Sequence, residues 1–174
     1  FESCASGGGR FDPGMLYYAP QGWVSDDSDA VERLKIQYGT SMCYPLSSMG
    51  SHVSVIPNHQ VFRNTPLHTR ANVAYFGTFG YELDLNKLSD AEIEEVKAQI
   101  RFMKEYRELL QFGTFYRLKS PFNGNETVWM VVSEDKSKAL VGYYRVLNGV
   151  NLPYSCVKLQ GLDPDKLYEN ELAN

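Results

Sequence analysis

The chain has 174 residues, 43% of them hydrophobic and 22% charged, which is enough for one domain-sized core and excludes a disordered or fibrous chain. Its net charge of −4 argues against a nucleic-acid partner: phosphate recognition needs a clustered basic face, and Arg33, Lys35 and Arg63 stand scattered among acids. No apolar run is long enough to span a membrane.

In chain order, 1–113 alternates short apolar strands with helices. The spacing of Val31, Leu34 and Tyr38 predicts a helix over 28–41, capped by Asp27 or Ser28, with Asp29 in its first turn. Residues 50–60, with His52 and His59, read as a loop. Thr65-Pro66 predicts a second helix start, with the threonine hydroxyl as cap and the proline at the first helical position. A strand is expected at 80–85. Ser89 and Glu92 then form a capping box for a long helix repeating Ile93, Val96, Ile100, Met103 and Leu110. After Gly113 the pattern changes to β-rich segments at 115–118, 127–133, 139–147 and 156–159, separated by turn material such as Asn148-Gly149.

About four βα units thus precede an antiparallel region. Eight units close a (β/α)₈ barrel, so the expected architecture is α/β then all-β: half of a TIM barrel over 1–113, and a partial β-sandwich over 114–174. The chain opens on Phe1 rather than Met, and the missing barrel half is expected upstream.

The richest chemistry lies in Trp23-Val24-Ser25-Asp26-Asp27-Ser28-Asp29, where a strand ends and a helix begins within a few residues. Barrel enzymes carry catalytic groups at the C-terminal ends of strands, and a glycosidase needs one carboxyl protonated at rest, which an apolar wall such as Trp23 favours. The plain alternative is that all three aspartates serve the helix N-terminus. Gly7-Gly8-Gly9, between Cys4 and Asp12, lets backbone amides approach a ligand; without a GxGxxG spacing or a following Lys-Ser/Thr it does not read as a phosphate cradle. A tight turn braced by Arg10 and Asp12 explains the same run. Cys4 with His52 would make a nucleophile pair, although buried inert cysteine is commoner, and two histidines without a Cys/Asp cluster do not suggest a metal. Trp129, Tyr143 and Tyr144 suit either a sugar-stacking surface or a sheet core. Cys4, Cys43 and Cys156 form no CxxC pair and no even-numbered framework. With no signal peptide, that leads to the expectation of a cytoplasmic, reducing location.

The runs ESCASGGGRFDPGMLYY (2–18), WVSDDSDA (23–30), RLKIQYGTS (33–41), YPLSSMGSHV (44–53), PNH (57–59) and GYELDL (80–85) closely resemble the glycoside hydrolase family 36 α-galactosidases. That resemblance implies a (β/α)₈ barrel followed by a C-terminal β-sandwich. It also implies retaining hydrolysis of terminal α-1,6-galactosides of the melibiose and raffinose type, without a cofactor or metal, by an enzyme that is often a homo-oligomer. By the family pattern Asp26 is the general acid/base, and Cys4, Gly7 and Trp23 line the galactose subsite. The family's nucleophile sits in a Lys-Trp-Asp type motif, which is missing from these 174 residues, so the chain alone is expected to be inactive. The alternative is a non-catalytic sugar-binding or interface module derived from such an enzyme.

Overall fold

The computed structural model describes residues 1–4 and 12–172. Four parallel strands, β1 (Glu2–Cys4), β2 (Gln21–Trp23), β3 (Met49–Ser54) and β4 (Thr78–Glu82), lie side by side in chain order. Helices α1 (Ala30–Thr40) and α2 (Leu67–Ala74) connect β2 to β3 and β3 to β4. Helix α3 (Asp90–Phe112) then leads into an antiparallel sheet of β5 (Thr114–Lys119), β6 (Glu126–Val132) and β7 (Ala139–Arg145), in that order. A parallel sheet therefore precedes an antiparallel one, as expected.

Strand β3 runs through what the sequence suggests is a loop. Met49, Ser51 and Val53 are fully buried on one face, and Ser51 Oγ donates to Gln37 Oε1 of α1 at 3.0 Å. A strand covered on both sides has no polar face to alternate with, so its pattern is hidden when small and hydroxyl residues fill it.

Helix α1 also departs from expectation. Asp29, not Asp27 or Ser28, is its N-cap and accepts from the amides of Val31 and Glu32, both at 3.0 Å. Its buried stripe is Ala30, Arg33, Leu34 and Gln37, so two polar residues lie where an apolar face was read. Gln37 earns its burial by donating to the carbonyls of Val73 (3.2 Å) and Phe76 (2.9 Å) at the end of α2. In α2 itself Pro66 is the N-cap and makes no side-chain cap bond; the Thr65 hydroxyl does not cap the helix. The capping box of α3 forms as expected, and Val96, Met103 and Leu110 are buried, whereas Ile100 is 36% exposed.

The two sheets share one core. Leu34, Met49, Val53 and Val73 continue through Phe76, Val96, Met103 and Leu110 to Trp129, Val131 and Tyr144. Trp129 is fully buried, its ring centroid 5.4 Å from Phe76 and 5.2 Å from Tyr144, so these rings form core rather than a sugar platform. Tyr143 remains half-exposed beside Glu126 and Arg145.

No strand forms at 156–159. Among the described residues no partner strand runs alongside that segment, and Cys156 and Leu159 face solvent. Residues 146–172 are instead held to the sheet by scattered bonds, such as Lys166 Nζ to Asp135 O (2.8 Å) and Tyr168 OH to Lys136 O (2.6 Å). The second sheet of a sandwich is therefore not among the described residues. Among the described residues no helix is long and apolar enough to cross a membrane.

Candidate active site

The parallel register sets the site. Cys4 pairs with Trp23, Trp23 with Gly50, His52 with Gly80 and Ser54 with Glu82. Trp23 and His52 project from adjacent strands with ring centroids 4.5 Å apart. Each ring leans over a glycine of the next strand. A Cβ at Gly50 would lie 2.8 Å from Trp23 Cε3, and one at Gly80 would lie 2.8 Å from His52 Cδ2. These two glycines are the space that the aromatic wall occupies.

After Trp23 the chain turns into α1 by a series of local bonds. The Asp27 amide donates to Ser25 Oγ at 3.1 Å, and the Asp29 amide donates to Asp27 Oδ1 at 3.0 Å. Asp29, 2% exposed, caps α1 and pairs with Arg63, which also reaches Glu32 at 3.3 Å. Ser28 is buried, and its carbonyl accepts from Ser54 Oγ at 2.8 Å. Two of the three aspartates are thus consumed by the turn and the helix. Asp26 is exposed, and among the described residues its carboxylate takes no hydrogen bond or ion pair. The sequence leaves open whether all three carboxylates serve the helix; the structure leaves one of them over.

Two further charged groups, Glu82 and Arg33, border this wall. His52 Nδ1 lies 3.8 Å from Glu82 Oε2. Burial pushes the His52 imidazole below its ordinary value, and Glu82 and Glu2 oppose that shift. Arg33, 3% exposed, has its guanidinium carbon 5.1 Å from the Trp23 ring centroid. Burial brings its pKa down to about 10, against the pull of Glu82 and Asp27, so it stays charged at neutral pH.

Of the residues singled out from sequence, Cys4, Trp23 and Asp26 come from the ends of β1 and β2, with Cys4 exposed at the rim. Gly7 lies outside the described residues, as do Gly8, Gly9 and Arg10. Asp12 is described, and it caps the short turn Pro13–Tyr17 by accepting from the Gly14 amide at 2.8 Å. Cys4 and His52 are separated by strand β2, which removes the basis for a cysteine–histidine pair. Among the described residues no cluster of three or more His, Cys, Asp or Glu is arranged to hold a metal ion.

Sequence reasoning missed Arg33 and Glu82 as neighbours of the wall; His52 it offered as a loop histidine or a group near the site mouth. The one available signal was Arg33, which falls next to Leu34 within the buried stripe of α1. A groove of about 440 Å³ near Phe112, Tyr116 and Lys136 belongs to the antiparallel sheet and includes none of these residues.

A solvent-facing carboxylate three residues beyond the end of β2, used neither by the turn nor by the helix cap, is free for proton transfer. Comparison with known proteins gives the family. Residues 1–113 match the melibiase family model, and residues 126–174 match that of the glycosyl hydrolase family 36 C-terminal domain. The chain is 61% identical to alpha-galactosidase AgaA of Geobacillus stearothermophilus over 98% of its length and 24% of that protein's. It is 53% identical to alpha-galactosidase Mel36A of Lactobacillus acidophilus, over 98% of this chain and 23% of that one. A crystal structure of an AgaA variant with 1-deoxygalactonojirimycin superposes with a TM-score of 0.92 at 62% identity, covering 95% of this chain and 23% of that one. A second AgaA variant, in complex with raffinose, gives 0.91 at 62% identity over 94% and 23%. The chain spans about a quarter of the length of these relatives.

Proposed function

This chain belongs to the melibiase family, glycoside hydrolase family 36, and from that premise we propose that it supplies the acid/base aspartate of a retaining α-galactosidase. The observation that carries the reading is Asp26: at the end of β2, it is the one carboxylate of three that neither the turn nor helix α1 uses.

The reaction is a double displacement. Asp26 as an acid protonates the glycosidic oxygen while a second carboxylate attacks the anomeric carbon; Asp26 as a base then draws a proton from the water that releases galactose. Retention needs the two carboxyl groups about 5–5.5 Å apart. No Lys-Trp-Asp run occurs in the 174 residues, so the nucleophile comes from another part of a longer polypeptide and this segment alone is inactive. In that enzyme residues 1–113 form the second half of the barrel and 114–174 part of a C-terminal β-sandwich domain. Cys4, Gly7 and Trp23 line the galactose subsite, with Trp23 as the apolar wall that a ring-stacking sugar needs. The substrates are terminal α-1,6-galactosides such as raffinose, the sugar bound in one of the similar structures. The assembled enzyme is a homo-oligomer, and three free, exposed cysteines suit a cytoplasmic location.

In the full-length polypeptide, Asp26→Ala is expected to lower raffinose turnover on the order of 10²–10⁴-fold. Azide should restore part of the turnover on a substrate with a good leaving group, because it replaces the missing base at the second step. Undiminished raffinose turnover in that variant overturns the assignment.

A further inference from the structure

We propose that Arg33 is a positioning residue for the acid/base step, fixing the peptide that carries Asp26 to strand β3; this rests on the reading of Asp26 given above. A guanidinium that is 3% exposed is tolerated only if its donors are used. Nη1 donates to Ser25 O at 3.3 Å, Nη2 to Gly50 O, and Nε to Gln37 Oε1 at 3.3 Å. The Ser25 carbonyl belongs to the same planar peptide unit as the Asp26 amide, so holding it sets the position from which the Asp26 side chain departs. Gly50 is the residue of β3 in register with Trp23, and the β2–β3 pairing stops there. Beyond that point the flat fork of Arg33 takes the place of the missing ladder, and the same group lies 5.1 Å from the Trp23 ring. Arg33 therefore fixes the acid/base and the pocket wall to one strand. Lysine keeps the charge but lacks the fork.

A buried arginine of similar design serves the neighbouring strand. Arg70 of α2 donates to Ser54 O at 2.5 Å and Thr65 O at 3.0 Å, closing the end of β3. It makes no bond to the Ser25–Asp29 turn among the described residues, which makes it the control for a purely structural role.

The experiment compares kcat/KM for raffinose, whose poor leaving group needs the acid, with that for 4-nitrophenyl α-galactoside, whose leaving group does not. The ratio is measured on the full-length polypeptide and is independent of the fraction folded. Arg33→Lys is expected to depress raffinose on the order of 10- to 100-fold more than the aryl substrate, since a misplacement near 1 Å carries that cost. Arg70→Lys is expected to lower both equally. Equal loss on both substrates in Arg33→Lys, or no loss, overturns the proposal. Asp26→Ala run in parallel separates the two ideas. If it shows the selective loss and Arg33→Lys does not, only the positioning role falls; if it shows none, both fall. Should Arg33→Lys yield no folded enzyme, Gln37→Met, which removes the Nε acceptor, is read by the same ratio: a selective raffinose loss supports the role and an equal loss on both substrates overturns it.

Discussion

Tyr144 of β7 donates its hydroxyl to the carbonyl of Asn72 in α2 at 2.6 Å while accepting from Trp129 Nε1 at 3.1 Å. One buried oxygen thus closes two polar groups and joins the antiparallel sheet to the helices behind the parallel one. The core runs through this contact without a break, so the two sheets are expected to lose their packing together.

Tyr144→Phe leaves the Trp129 indole and the Asn72 carbonyl without this partner in a site closed to water. The expected loss of stability is about 1–3 kcal/mol, with little change in shape. Denaturant unfolding checks it, and an unchanged midpoint argues that water enters the junction.

Asp29 is expected to differ from Asp26 in which observable it moves. Asp29→Ala removes the α1 cap and the partner of Arg63, and should cost about 1–2 kcal/mol in thermal unfolding. Asp26→Ala should leave the unfolding midpoint where it was, because that carboxylate is exposed and unbonded among the described residues. A large midpoint shift in Asp26→Ala would show that it is part of the scaffold.

His52 ties stability to pH. Burial holds its folded pKa below the ordinary value of 6.5, so beneath that value the unfolded chain takes up a proton that the folded one refuses. Stability is fully present above about 6.5 and declines as pH falls from there to the lowered folded pKa, below which this contribution is flat. His52→Gln should remove that slope. Glu82→Gln should depress the imidazole further, since Glu82 and Glu2 are the groups that raise it while Arg33 lowers it. NMR titration of the imidazole reads both effects.

Gly50→Ala places a methyl group 2.8 Å from Trp23 Cε3. The indole has to move, because the other near neighbour is the Gly22 carbonyl at 3.3 Å in the strand backbone. The variant is expected to fold with a cost of about 1–3 kcal/mol and to bind galactose more weakly. Calorimetry on the full-length polypeptide tests the binding, and unaltered affinity removes Trp23 from the subsite.

Much of the order of elements was legible. Helix α3 announces itself because its Ser89–Glu92 box and its repeat of Val96, Met103 and Leu110 are local signals. Strands β5 to β7 are set off by turn residues in the same way. Strand β3 was not legible, because Met-Gly-Ser-His-Val-Ser is buried on both faces and its glycine and serines answer to residues far along the chain. The cap of α1 was misread by one or two positions, since several oxygen-bearing side chains compete there and only backbone geometry selects Asp29. A strand at 156–159 was expected from composition alone, but a strand also requires a neighbour to bond with.

The sequence by itself determined the family and the βα-then-β order of elements, and it offered Asp26, with Asp27 and Asp29 behind it, as the candidate carboxylate, because each of these depends on residues close together in the chain. Tertiary structure decided which carboxylate is left free, that Gly50 and Gly80 exist to seat two rings, and that Arg33 binds the strand end. Those outcomes depend on the parallel register, and a register is a relation between segments about 27 residues apart that no local pattern records.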